Sequence, residues 1–208
     1  MILIHEKTAG LVWHRAVQKI NNKGRVIFDE NKKLKELLNV VIVVDDPTKE
    51  DRIIKRHGDK KMIRWMINNF TKNKPIEKWG YSYGQRINNF NGVNQLEEII
   101  QKLRKRPHLK SSTITLMNPN EDDYHTPCIC VIDFKIRKDK LLTNAFFRSQ
   151  DAGKKIYADI LSIGLISKNL ARKLNVKIGK LTILVASLHF YYEDNDKLRS
   201  ILETVEKP

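Results

Sequence analysis

The sequence predicts a single α/β domain of the α+β type, with a mixed β-sheet packed against helices. Three observations predict it. Apolar residues recur at helical spacing in several separate segments. Between those segments lie short β-branched runs, and a strand-rich block occupies the middle of the chain. Finally, the 208 residues contain no internal repeat, low-complexity stretch or obvious linker, so residues 1–208 fit one domain with a sizeable core.

The elements follow in order. Residues 1–7 hold a short apolar stretch with no positive flank before it, which makes a poor signal peptide. No apolar run approaches the roughly 18 residues needed to span a membrane, so a cytoplasmic protein without a membrane partner is expected. Residues 8–22 read as an amphipathic helix on Leu11, Val12, Ala16, Val17 and Ile20, closed by Gly24. Residues 38–44 read as a strand ended by Pro47. Asp59 is placed to cap a helix over 60–70 with Met62, Ile63, Met66, Ile67 and Phe70 as its apolar face.

Residues 71–92, with Pro75, Trp79, Gly80, Tyr81, Tyr83, Gly84 and Gly92, read as a long loop, and such loops are often functional. Asn94 starts the next helix, with Glu97 in capping-box register and Pro107 beyond its end. Strands are expected at 112–117, 127–136 and 140–147, the last two joined by the polar turn Arg137-Lys138-Asp139-Lys140. A helix over about 156–174, a strand at 180–191 and a short helix from about 195 to 206 complete the pattern.

Hydrophobic residues make up 41% of the chain, which predicts a folded globule. The net charge of +15, from 39 Lys plus Arg against 24 Asp plus Glu, attracts anions, either nucleic acid or a phosphorylated small molecule. The basic clusters at Lys32-Lys33-Lys35, Lys60-Lys61-Arg64 and Lys102-Arg104-Lys105-Arg106 each lie in or beside an expected helix, as solvated faces do. No nucleic-acid-binding signature is visible, so nucleic acid is not the expected partner. The two cysteines, Cys128 and Cys130, are too close for a disulfide and too few for a structural zinc site. A buried thiol or a catalytic one remains, and no metal is expected.

Four short segments share a chemical theme: Pro127-Cys128, Phe147-Arg148-Ser149-Gln150-Asp151-Ala152-Gly153, Asp159, and Ser187-Leu188-His189-Phe190-Tyr191. They offer a thiol, a guanidinium, a hydroxyl, two carboxylates and a His-x-Tyr pair. In these segments, from about Tyr83 to Tyr191, the sequence resembles the thymidylate synthase family, including its short archaeal-type members. The related dCMP hydroxymethylases share the pattern.

The resemblance implies the thymidylate synthase fold, a sheet-to-sheet homodimer, and transfer of a one-carbon unit to C5 of a pyrimidine nucleotide. Its leading form is dUMP to dTMP, with 5,10-methylenetetrahydrofolate or a methanopterin analogue as co-substrate. Cys128 is implied as the thiolate that adds at C6. A neighbouring cation favours the thiolate, and Arg148 is implied both as that cation and, with Ser149, as a phosphate ligand. Tyr83 is implied to line the nucleophile pocket and Asp151 to hold the pterin ring. His189 and Tyr191 are implied to bond the ribose 3′-hydroxyl. Lys110 and Ser111 stand where the family's partner subunit supplies a pair of phosphate-binding arginines, so one point charge replaces two forks.

Several positions depart from the family pattern. Asp159 stands where most members carry asparagine and where the hydroxymethylases carry aspartate. A carboxylate accepts from the N4 amine of cytosine, which leans toward a dCMP hydroxymethylase; a simple first-turn helix residue is the structural alternative. Ile129 and Asp133 replace a histidine and a glutamine, and the catalytic glutamate of the early helix has no match in 60–70. The chain ends at Pro208, and a shorter tail over the folate site would admit water and favour hydroxymethylation. A non-catalytic nucleotide or nucleic-acid binder is the alternative outside the enzyme class.

Overall fold

The computed structural model describes residues 2–76, 80–122 and 125–203. Strand β1 (Ile2–Thr8) leads into helix α1 (Ala9–Lys23), and β2 (Arg25–Asp29) and β3 (Lys32–Asp46) form a hairpin. Helices α2 (Arg52–His57), α3 (Lys60–Thr71), α4 (Tyr83–Asn88) and α5 (Gln95–Lys105) follow. Strands β4 (Thr113–Thr115), β5 (Ile129–Arg137) and β6 (Lys140–Asp151) precede the long helix α6 (Ile156–Lys173). Strand β7 (Lys177–Tyr191) and helix α7 (Asn195–Leu202) close the described chain.

Among the described residues the sheet runs β1-β3-β7-β6-β5-β4, with β2 paired to β3. The β1–β3 and β6–β7 pairs are parallel and the others antiparallel, so the sheet is mixed, as the sequence predicts. Two tight turns set its register. Glu30 and Asn31 in one hairpin, and Lys138 and Asp139 in the other, all have positive φ. Two-residue hairpins need that geometry to match strand twist.

One face of the sheet is the core. Helices α1 and α6 lie on it and bury Trp13, Tyr157, Ile160 and Ile163 against Val40, Ile42, Phe147 and Val185. The opposite face carries an apolar row in register across five strands: Leu3, Val41, Leu184, Phe146 and Val131. Leu3 is 57% and Leu184 42% exposed. No helix among the described residues is long and apolar enough to cross a membrane.

Several boundaries differ from the sequence expectation, each for a local reason. The strand expected at 38–44 runs from Lys32 to Asp46, because its mostly polar first half, with only Leu34 and Leu37 buried, pairs with β2 and β7. β2 is exposed throughout, so it has no apolar face to betray it. β1 is a strand rather than merely a short apolar stretch, and α2 is capped by Asp51, whose side chain accepts from the Ile54 amide. The expected loop at 71–92 contains α4, capped by Ser82, whose hydroxyl accepts from Gln85 N at 3.0 Å. Asp59 caps α3 and Asn94 caps α5 as expected. The expected strand at 112–117 narrows to Thr113–Thr115, that at 127–136 starts at Ile129, and β6 continues to Asp151. Trp79, and the end of the expected C-terminal helix past residue 203, lie outside the described residues.

Candidate active site

Two of the segments singled out by sequence, those of Cys128 and of Arg148 to Asp151, meet near the start of α6. A cavity of about 730 Å³ opens there, lined by Cys128, Arg148, Asp151, Tyr83 and Lys155 among others. Helix α3 forms its far wall with Met62, Trp65, Met66 and Asn69, and Tyr81 and His125 stand at its edge.

Cys128 sits just before β5, next to a register shift between Ile129 and Val131. Such irregularities re-aim a side chain. Cys128 therefore reaches the cavity, whereas Cys130 does not line it, despite the strict alternation a C-x-C on a regular strand would give. Burial pushes the Cys130 thiol up, as expected of a structural cysteine. The Arg148 amide bonds to the Cys128 carbonyl at 2.9 Å. Its guanidinium donates through Nε to the Pro127 carbonyl at 3.0 Å and through Nη2 to the Thr126 carbonyl at 2.6 Å. These bonds orient the arginine across the segment that carries the thiol, with its remaining donors available.

Tyr83 is buried at the start of α4, where its amide donates to Asn69 Oδ1 at 3.1 Å and its ring packs on Phe70. Its hydroxyl accepts from Ile129 N at 3.4 Å, which places the phenol beside the thiol segment. Burial pushes its pKa well above the ordinary tyrosine range, so it stays a neutral hydroxyl. Burial likewise holds Tyr81 at about 12, and that ring stacks 3.9 Å from the Arg86 guanidinium. Arg86 pairs in turn with Asp122, and both are almost fully buried.

Asp151 Oδ1 accepts from the amides of Gly153 at 2.8 Å and Lys154 at 3.0 Å, closing the turn between β6 and α6. That turn is braced from below. Trp13 Nε1 donates to the Ala152 carbonyl at 2.7 Å, the Trp13 and Tyr157 rings lie 4.2 Å apart, and Tyr157 Oη accepts from Asp59 N at 3.0 Å. The cap of α3 and the Asp151 turn are thereby tied to one aromatic pair.

Asp159 is fully buried in the first turn of α6 and does not itself line the cavity. Its Oδ2 accepts from Lys155 Nζ at 2.7 Å and from Gln150 Nε2 at 2.9 Å, while its Oδ1 is buried without a partner. Lys155 had no place in the sequence reading, yet it lies between that carboxylate and the cavity. Its only signal was the spacing of four from Asp159 at a helix start. Ser149 pairs with Ser187 across β6 and β7, and Asp151 with His189. His189 is buried, its Nδ1 3.4 Å from Ser187 Oγ, and its ring meets Tyr191 edge-on at 5.3 Å. Neither His189 nor Tyr191 lines the cavity directly; Asp151, which does, stands opposite His189 across β6 and β7. Lys110 and Ser111 are exposed between α5 and β4 and do not line it either.

Comparison with known proteins shows the family. The profile of the family described as thymidylate synthase matches residues 17–208. A protein of Methanosarcina mazei is 29% identical over 207 residues, covering 98% of this chain and 95% of its own length. One from Methanococcoides burtonii is 27% identical over 208 residues, covering 98% and 96%. One from Methanothermobacter thermautotrophicus is 29% identical over 196 residues, covering 86% and 88%. All three carry the name "Putative thymidylate synthase". With the family profile spanning most of the chain over a mixed sheet packed with helices, the chain belongs to the thymidylate synthase family.

Proposed function

We propose that this protein transfers a one-carbon unit to C5 of a deoxypyrimidine monophosphate, converting dUMP to dTMP with a methylene-carrying reduced folate or pterin as donor. The observation that carries the reading is the convergence of Cys128, Arg148, Tyr83 and Asp151 on one cavity. C5 of a pyrimidine is a feeble nucleophile. A sulfur lone pair that forms a bond to C6 pushes the C5–C6 π electrons toward C4 and leaves an enolate. C5 of that enolate attacks the donor's methylene carbon.

The roles follow from position. Arg148 supplies positive charge next to the Cys128 segment and donors for the nucleotide phosphate, with Ser149 beside it on β6. Tyr83 offers a neutral hydroxyl near the sulfur. Asp151 accepts from the N–H groups of a reduced pterin ring. His189 and Tyr191 take the ribose hydroxyl. The cytoplasm is the expected compartment for such a reaction.

The open sheet face supports a homodimer. Its aligned apolar row from Leu3 to Val131 is the kind of surface that a second copy covers. Lys110 and Ser111, exposed away from their own cavity, are then free to serve the phosphate of the partner's site.

The carboxylate at Asp159 favours a second reading, a dCMP hydroxymethylase. One experiment tests both. The protein is incubated with methylene-tetrahydrofolate and either dUMP or dCMP carrying tritium at C5, and released tritium and product mass are measured. Release from dUMP with formation of dTMP, abolished in Cys128→Ala, is the expected result. No release from either nucleotide would sink the assignment, and a product only from dCMP would move it to the hydroxymethylase.

A further inference from the structure

The early helix α3 lines the cavity with Met62, Trp65, Met66 and Asn69 and offers it no glutamate. The carboxylate at its cap, Asp59, is already engaged by the amides of Lys61 and Met62. The enolate formed by sulfur addition carries negative charge that a cation stabilises, and Lys155 stands on the same cavity as Cys128. We infer that Lys155 is a further catalytic residue: its ammonium donates to the oxygen on C4 of a uracil base and stabilises the negative charge that collects there when sulfur adds to C6. The inference rests on the reading of the preceding subsection.

Three observations support it. First, the ammonium is a pure donor with three N–H groups, and its one hydrogen bond among the described residues, to Asp159 Oδ2 at 2.7 Å, leaves donors over. Second, the Lys155 side chain is 20% exposed while that of Asp159 is 0%. A ligand in the cavity meets the lysine before the carboxylate. Third, Asp159 lies behind the lysine and off the cavity, so the group presented to a base at this position is a donor. A donor suits the carbonyl oxygen at C4 of uracil, whereas cytosine presents an amine at C4, which sets donors against donors.

The electrostatics agree. Burial alone would lower Lys155, but the carboxylate of Asp159 outweighs it and holds the amine above its ordinary range, so it keeps its charge. The step balances without an added reagent: the sulfur lone pair becomes the S–C6 bond, the C5–C6 π pair shifts to C4–C5, and the carbonyl π pair moves onto O4 beside the ammonium. A fixed charge facing a developing oxyanion in a water-poor site stabilises the transition state more than the ground state.

The test compares wild type with Lys155→Met in two measurements: equilibrium binding of dUMP and of the pyrimidin-2-one deoxynucleotide, which lacks O4, and tritium release from C5 of dUMP. Wild type is expected to hold dUMP about tenfold or more tighter than the analogue. In Lys155→Met that preference disappears and release falls by about 10²–10³-fold. A merely structural lysine would weaken both ligands equally, so an unchanged preference overturns the inference, as does undiminished release. If Lys155→Met shows no cooperative unfolding, Lys155→Gln carries the test through release alone: it keeps a donor for Asp159 but no charge, and a wild-type rate overturns the role. Folded wild type that binds neither ligand refutes the function and the inference together. Normal wild-type turnover with an unmoved Lys155 variant refutes the inference only.

Discussion

Lys155 Nζ and Asp159 Oδ2 lie 2.7 Å apart across the first turn of α6, with Gln150 sharing the same carboxylate oxygen. The pair is well shielded from water, so removing one member leaves an uncompensated charge. Asp159→Leu should therefore cost about 3 kcal/mol or more in a denaturant titration. The double variant Lys155→Met/Asp159→Leu should recover much of that loss, because it removes both desolvated charges. A double variant less stable than the single one would show that the pair does not hold the turn.

Acid should weaken the fold partly through His189. Burial holds its imidazole below the ordinary value of 6.5, outweighing the opposite pull of Asp151 and Glu36. The folded state keeps it neutral where the unfolded chain takes up a proton. Its contribution to stability is complete above about 6.5 and declines as pH falls from there toward the lowered folded value. Urea titrations across that range should show a shallower loss in His189→Gln than in wild type. An identical slope in both would assign the acid sensitivity to other groups.

Gly84 holds the turn that delivers Tyr83. A methyl group there would stand 2.4 Å from the Lys72 carbonyl oxygen, a backbone atom that cannot swing aside. Gly84→Ala should cost about 1–3 kcal/mol in stability. It should also raise the KM for nucleotide, since α4 must shift with Tyr83 at its first position. Unchanged stability would mean that the 72–84 segment relaxes freely.

Arg86 and Asp122 form a second ion pair, with side chains 3% and 5% exposed. Arg86→Leu should lower stability by about 3–5 kcal/mol, measured by chemical denaturation, because Asp122 is left buried and unpaired. A loss below about 1 kcal/mol would show that Asp122 finds water instead.

The layout of the site was legible where side-chain chemistry coincides with chain order. Cys128, Arg148 and Asp151 were singled out by a family resemblance carried in short motifs, and all three line one cavity. The helices capped by Asp59 and Asn94 were legible because caps are local. β2 was not, since an edge hairpin with every residue exposed carries no burial pattern. Lys155 was missed for the opposite reason. In sequence it is one of many lysines, and only tertiary packing against Asp159 and Gln150 turns it into a buried charge. The lean toward cytosine drew on Asp159 alone, a carboxylate that does not itself line the cavity.

The indole of Trp13, the phenol of Tyr157 and the backbone of Asp59 form one continuous strut beneath the Asp151 turn. The aperture between α3 and that turn is accordingly not an independent variable of the surface. Its width is inherited from how tightly two aromatic rings stack in the interior. Trimming either ring would alter catalysis from the inside, with every residue that faces the ligand left intact.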